Sequence, residues 1–322
     1  MIRYGRFYLF CVRFTADDSN DIRQGEKPVV EEKNIRYISG DVCLPEALTP
    51  LFAGGGGQET AVIHTAGLIS IAGRVSPQVR EVNVHGTANM IALCRKYGVS
   101  RFVYVSSVHA IPELPAPQII CETEHFSPEL VKGGYAKTKA EATRLVLDAA
   151  KAGFPAVVVH PSGIIGPYDA GRNHLTQLVA DYLRGKLPVC VTGGYDFVDV
   201  RDVAQGCLPA AERGRTGQCY ILNGHYLSIL NLLTCAGRFG DRRPPGVVPM
   251  PLARLAAPVV QAVAQIQHRR PLYTNYSLYT LTSNSNFSRE RAEADLDYQP
   301  RTVDEAIRDM VEWLTVTPNI NR

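Results

Sequence analysis

The sequence predicts an α/β protein built on a doubly wound, mainly parallel sheet. Short β-branched or aromatic runs alternate with longer helical patterns, and polar or glycine punctuation follows each run. The chain has 322 residues, 45% of them hydrophobic and 20% charged, enough to bury a large core and ordinary for a globular domain.

Arg6–Phe14, Ile35–Ile38, Ala61–His64, Phe102–Val105 and Ala156–His160 read as buried strands. Pro45–Phe52, Pro77–Tyr97 and Ala136–Ala152 carry apolar residues at three- and four-residue spacing and read as helices, with Gly98 and Gly153 closing the last two. The four glycines of Gly54–Gly57 fall between a helix and a strand, where they serve as a connector; a phosphate cradle would need the opposite order. From about Gly166 the alternation weakens and prolines gather at Pro244, Pro245, Pro249, Pro251 and Pro258, which predicts a smaller second lobe for substrate. The expected division is residues 1–165, with part of 190–225, as the nucleotide-binding domain and 166–322 as mainly the substrate-binding lobe.

A net charge of +3 with scattered Lys and Arg does not call for nucleic acid. The eight cysteines never form Cys-x-x-Cys and sit mostly in apolar runs, which suits a reduced, cytoplasmic setting. Phe7–Val12 is too short for a signal-peptide core, so no export is expected. Pro251–Ile266 is interrupted by Arg254, Gln261 and Gln265 and falls short of the ~20 residues that span a bilayer; it reads as an amphipathic helix. No His/Cys spacing suggests a metal.

Tyr135-Ala-Lys-Thr-Lys139 places a phenol and an ammonium four positions apart, on one face of a helix. A phenol with a pKa near ~10 needs a neighbouring cation to exchange a proton close to neutral pH, and Lys139 can supply it. Phe102-Val-Tyr-Val-Ser-Ser107 is a strand that ends in two hydroxyls at the carboxyl edge, where open α/β sheets bind ligands. Ser107 is the candidate oxyanion partner, while Ser106 is expected to turn back to the backbone as a local cap.

These elements stand in a recognisable order. Asp41-Val42, Val62-Ile-His-Thr-Ala-Gly67, Asn83-Val-His-Gly-Thr87, Tyr104-Val-Ser-Ser107, Tyr135-Ala-Lys-Thr-Lys139, His160-Pro-Ser-Gly-Ile-Ile-Gly-Pro167 and Phe197-Val-Asp-Val-Arg-Asp-Val-Ala204 follow one another along the chain, and Leu296-Asp-Tyr-Gln-Pro-Arg301 comes near its end. The set resembles the extended short-chain dehydrogenase/reductase family, and within it the dihydroflavonol-reductase and 3β-hydroxysteroid-dehydrogenase-like branch. The resemblance implies a Rossmann-like fold, an NAD(P) cofactor, and hydride transfer to or from a hydroxyl or keto group of a small substrate. Nucleotide-sugar epimerase or dehydratase chemistry is the alternative, as is an inactive member that binds cofactor poorly.

Carried over by the same resemblance, Ser107, Tyr135 and Lys139 are the catalytic set, and Tyr135 and Lys139 also touch the cofactor. Asp41 and Val42 would meet the adenine, Ala66 and Gly67 would pass beneath the dinucleotide, and Asn83 would brace the helix behind the site. Pro161, Gly163 and Ile164 would approach the nicotinamide, while His109 and Phe197 are candidate substrate contacts. Each has a plainer reading: Asp41 as a helix cap, Pro161 and Gly163 as loop-shaping residues, His64 and His160 as buried structural histidines, and Arg201/Asp202 as a structural ion pair. Arg13 favours NADP and Asp17 with Asp18 favours NAD; both stay open, with NADP preferred. A homodimer through helices flanking the Tyr-bearing one is a family-level expectation.

One departure is plain. The family opens with a strand, Gly-x-x-Gly-x-x-Gly and a helix whose N-terminal amides hold the pyrophosphate. Here Gly5 is the only glycine before Gly25. Counting back from Asp41, Arg6–Phe14 takes the place of the second strand, so the sheet is expected to lack its first strand and helix, roughly 30 residues. Either the second strand then pairs directly with Ala61–His64, or a ladder edge is left open. NADH and NADPH are therefore expected to bind only above micromolar concentration in a fluorescence titration, and tighter binding would refute the expectation.

Overall fold

The computed structural model describes residues 6–9, 38, 40–52, 60–70, 75–169, 173–266 and 274–316. Arg13, Asp17, Asp18 and Gly54–Gly57 lie outside the described residues, as does most of the expected strand Ile35–Ile38. In chain order the first half runs β1 (Arg6–Leu9), α1 (Pro45–Phe52), β2 (Thr60–His64), α2 (Pro77–Arg80), a π-helical turn Glu81–His85, α3 (Gly86–Lys96), β3 (Arg101–Val105), α4 (Gly134–Lys151) and β4 (Ala156–Pro161). The long helix expected over Pro77–Tyr97 is continuous but carries the π turn at its centre, a local widening often found at functional sites. Gly98 and Gly153 follow α3 and α4 with φ of +64° and +86°, left-handed positions that glycine takes without penalty.

The second half adds β5 (Gly163–Ile165), α5 (His174–Leu183), β6 (Val189–Val191), β7 (Gly194–Asp199), α6 (Val200–Arg213), β8 (Cys219–Leu222), β9 (His225–Ser228) and α7 (Ile229–Gly240). It closes with β10 (Gly246–Val248), α8 (Met250–Ile266), α9 (Asn275–Thr280), α10 (Glu290–Leu296) and α11 (Val303–Val316).

The main sheet has the order β1-β2-β3-β4-β8, with each neighbouring pair parallel. β1 lies directly against β2, Arg6 opposite Thr60, which is one of the two arrangements expected from the sequence. Alternation along the strands sends side chains to two separate cores. Val62, Phe102, Tyr104, Val158 and Ile221 face α3 and α4, whereas Ala61, Ile63, Val103, Val157, Val159, Tyr220 and Leu222 face α6 and α10. Apolar burial on both faces is what makes the sheet doubly wound, and each large side chain so buried contributes about 1.5–3 kcal/mol.

β5, β7 and β9 form a second sheet, and β6 and β10 a small third one. Because β5 follows β4 after Ser162 alone, the second sheet begins at the carboxyl edge of the first. The apolar stretch Pro251–Ile266 lies in α8, as a helix; it buries Ala253 and Ala257 while Leu252 and Leu255 are exposed. No helix among the described residues is long and apolar enough to cross a membrane.

Arg201 and Asp202 do not pair with each other. Arg201 donates to Asp199 (2.7 Å) and Asp309 (2.7 Å), while Asp202 accepts from the Arg301 backbone N–H (2.9 Å) and Nε (2.9 Å). Adjacent residues on a helix point about 100° apart, so each finds its own long-range partner. Both links fasten the C-terminal segment to the start of α6. Asp202→Ala is expected to lower stability by about 2–3 kcal/mol, since Asp202 is buried and Arg301 loses both acceptor oxygens. A denaturant midpoint lowered at unchanged slope is the measurement, and a loss below about 0.5 kcal/mol would contradict it.

Candidate active site

Three strand ends meet at the carboxyl edge of the main sheet: residues 65–70 after β2, Ser106-Ser107 after β3, and Ser162-Gly163 after β4. The N-terminus of α4 comes up beside them. Gly133, just before α4, has φ of +95°, and a Cβ there would lie 2.1 Å from the Tyr276 ring, so both backbone and packing require glycine. Tyr135 follows at the second position of the helix and Lys139 one turn later.

Lys139 is buried, and its Nζ donates to the Val105 carbonyl (2.8 Å) and the Tyr104 hydroxyl (3.4 Å), with the Tyr104 ring centroid 4.8 Å away. Burial pushes the pKa of this amine down to about 7. Burial acts oppositely on Tyr135, raising its phenol, and the Ser107 hydroxyl draws it part of the way back. Here the principal partners of the ammonium are an oxygen of β3 and a phenol, and the hydroxyl of Ser107 is the group that acts on Tyr135.

Ser107 also caps the 3-10 turn Val108–Ala110, its Oγ accepting from the His109 N–H at 3.2 Å. Ser106, expected to turn back to the backbone, instead meets Thr143 of α4 at 2.7 Å. Thr143 spends its own hydrogen on the Lys139 carbonyl (2.8 Å), so Ser106 is the donor, and the strand end is tied to the helix that carries Tyr135 and Lys139.

Asn83 sits in the π turn, fully buried. Its Oδ1 accepts from the Leu68 N–H (2.7 Å), and its Nδ2 donates to the Leu68 carbonyl (3.0 Å) and Thr138 Oγ1 (3.0 Å). One side chain thus clamps the loop after β2 to α4. At Gly67, inside that loop, a Cβ would come 3.3 Å from both Asn83 Oδ1 and Lys139 Nζ; Ala66 beside it is buried. At Gly163 a Cβ would lie 3.0 Å from the Asp196 carbonyl and the Tyr195 ring. Pro161 ends β4 opposite Leu222, and Ile164 is half-buried beside the core of Val157 and Val159.

Asp41 Oδ1 accepts from the Cys43 N–H (2.8 Å) in a turn ahead of α1, and Val42 is fully buried with a Cβ at Gly86 only 2.6 Å from its side chain. His64 Nε2 meets Thr87 Oγ1 (3.1 Å), and His160 Nδ1 meets the Ser107 carbonyl (2.9 Å) while stacking on Phe126. Burial lowers the two imidazoles to about 3 and about 4, so both are neutral. Among the described residues there is no His, Cys, Asp or Glu cluster that could hold a metal.

His109 faces the site. Its ring stands edge-on to Tyr135 (6.4 Å), stacks on Tyr195 (5.3 Å), hydrogen-bonds the Tyr195 hydroxyl through Nε2 (3.1 Å), and has Tyr276 at 6.5 Å. Burial lowers His109 to about 4 and raises Tyr195 and Tyr276, so this wall is uncharged near neutral pH. Phe197 is fully buried behind it, edge-on to Tyr195 (6.2 Å). Tyr104, Tyr195 and Tyr276 are site residues that sequence reasoning missed. Tyr104 lies inside the strand whose alternation already points it toward α4, whereas Tyr276 reaches the site from α9 with no local signal.

A family model described as the NAD dependent epimerase/dehydratase family matches residues 12–223. A protein of Synechocystis sp. called putative dihydroflavonol 4-reductase is 30% identical over 78% of this chain and 75% of its own length. Sterol demethylase protein B of Methylococcus capsulatus is 28% identical over 78% of this chain and 77% of its own. Among solved structures, the crystal structure of gox2253 superimposes with a TM-score of 0.73 at 28% identity, covering 88% of this chain and 86% of that one.

Removing the Asn83 clamp tests how the site is held. Asn83→Ala is expected to cost about 2–3 kcal/mol, because it leaves the Leu68 amide and the Thr138 hydroxyl short of partners. Hydrogen exchange at the Leu68 N–H should accelerate with it, and unaltered exchange there would argue against the clamp.

Proposed function

The chain belongs to the NAD dependent epimerase/dehydratase family, and from that premise we propose that it is an NAD(P)-dependent oxidoreductase acting on a hydroxyl or keto group of a small, apolar, ring-bearing substrate. The observation that carries this reading is the setting of Tyr135: a hydroxyl from Ser107 on one side, a buried ammonium one helical turn away, and an uncharged aromatic wall of His109, Tyr195 and Tyr276 around it. Such a wall favours flat apolar rings by stacking and burial. It offers little to a nucleotide sugar, whose diphosphate calls for cations or a row of backbone donors. The names of the Synechocystis and Methylococcus relatives, a dihydroflavonol reductase and a sterol-modifying protein, point to the same class of molecule.

The residues present fit the nicotinamide end of a dinucleotide. At Gly67 a side chain would crowd the Lys139 ammonium, and an ammonium has three N–H groups, one more than the Val105 and Tyr104 oxygens occupy. NADP is the preferred form, on Arg13. The cofactor supplies or accepts a hydride at the substrate carbon. Tyr135 gives its phenolic proton to the substrate oxygen in reduction, or takes one in oxidation, and Ser107 donates a hydrogen bond to that oxygen as charge develops on it. Lys139, while protonated, stabilises the phenolate left behind.

Tyr135→Phe is expected to lower ketone-reduction kcat/KM by roughly 100- to 10,000-fold with the fold intact, measured by nicotinamide absorbance at millimolar cofactor. For the wild type, the reduction rate should fall as pH rises through about 7, since Lys139 is charged below that value and neutral above it. Full activity in Tyr135→Phe would overturn the assignment. Turnover of a sugar nucleotide without net change in NAD(P)H would favour epimerisation instead.

A further inference from the structure

We propose that Tyr104 is the positioning residue for Lys139: its phenol oxygen is a committed acceptor that holds the amine against the end of β3 and leaves one N–H for the Gly67 side. The inference rests on reading Lys139 as the partner of Tyr135.

Counting donors and lone pairs supports it. A hydroxyl has one hydrogen to give and two lone pairs. Thr87 gives its hydrogen to the Asn83 carbonyl (2.8 Å), so a lone pair is what it offers His64 Nε2 (3.1 Å). The Lys139 ammonium has hydrogens only to give, so the Tyr104 oxygen accepts from it, with Nζ at 3.4 Å from that oxygen and 4.8 Å from the ring centroid. Of the three N–H groups of the ammonium, Val105 takes one at 2.8 Å and Tyr104 another. The third is left on the side where a Gly67 Cβ would lie 3.3 Å away, the face a bound dinucleotide would cover.

The same count assigns the tautomer of His64. Its Nε2 faces an oxygen whose only hydrogen is spent elsewhere, so Nε2 carries the ring proton. The titratable groups around Lys139 are His64 on β2, Tyr104 on β3, His160 on β4 and Tyr135 on α4; none is anionic near neutral pH. With no carboxylate among them, a neutral oxygen in the right place has an unusually large share in holding the charged form. Tyr104 is fully buried and burial raises its phenol, so it acts through its dipole and does not ionise.

The test uses the full chain, with isotope-labelled lysine Cε, tyrosine Cζ and histidine ring nitrogens followed by NMR against pH; Lys139→Arg serves only to assign the lysine signal. In the wild type the Tyr104 Cζ signal should move with the midpoint of Lys139, and His64 should stay in the Nε2–H form throughout. Tyr104→Phe keeps the ring and removes the oxygen. It should lower the Lys139 midpoint by about one unit, roughly tenfold in its protonation constant, because the charged form loses an acceptor. An unmoved midpoint in a folded Tyr104→Phe protein would overturn the proposal. So would a wild-type Tyr104 signal indifferent to Lys139, which decides the matter even if the variant does not fold. Failure of the oxidoreductase reading would show separately, as no NAD(P)H turnover with the Lys139 titration intact.

Discussion

The site is organised around a cation buried without a counterion. Lys139 lies between α4 and the end of β3, and its strongest contact is a backbone carbonyl rather than a carboxylate. A buried ammonium in that position is costly unless every nearby oxygen is well placed, so the elements that carry those oxygens are held in turn. Ser106 ties the end of β3 to Thr143 of α4, and Asn83 ties the loop after β2 to Thr138 of the same helix. Tyr135 stands on the helix that all these bonds fasten.

The two cores serve the same end. Alternating side chains on β2, β3, β4 and β8 fill both faces of the sheet, which leaves the carboxyl edge as the place where polar groups of several strands can gather. Further along the chain, β7 and α9 bring Tyr195 and Tyr276 to His109 beside that edge, so polar strand ends meet aromatic surroundings. Charge is confined to Lys139 in a setting where the imidazoles of His64, His109 and His160 are all pushed to the neutral form. That separation lets one titration dominate the pH behaviour near neutrality.

Two misplaced partners teach the same lesson. The sequence points Ser106 back to the backbone and pairs Arg201 with Asp202, yet Ser106 meets a residue 37 positions away, Asp202 one 99 positions away, and Arg201 divides between Asp199, two positions away, and Asp309, 108 positions away. A hydroxyl at a strand end or a charge on a helix bonds to whatever the fold brings opposite it. Sequence spacing limits only the direction in which it points.

From sequence alone came the periodicities that place β2, β3, β4, α1 and α4, the spacing that puts Tyr135 and Lys139 on one helical face, and the ordered motifs that mark the family. These are local properties, set by the two-residue repeat of a strand, the 3.6-residue repeat of a helix and the chemistry of a few side chains. Tertiary structure alone decided which acceptor holds Lys139, that Asn83 stands in a π turn clamping Leu68, and that Tyr195 and Tyr276 gather around His109. The reason is physical: a buried polar atom must find a partner, and the partner is chosen by distance in space, which chain position does not encode.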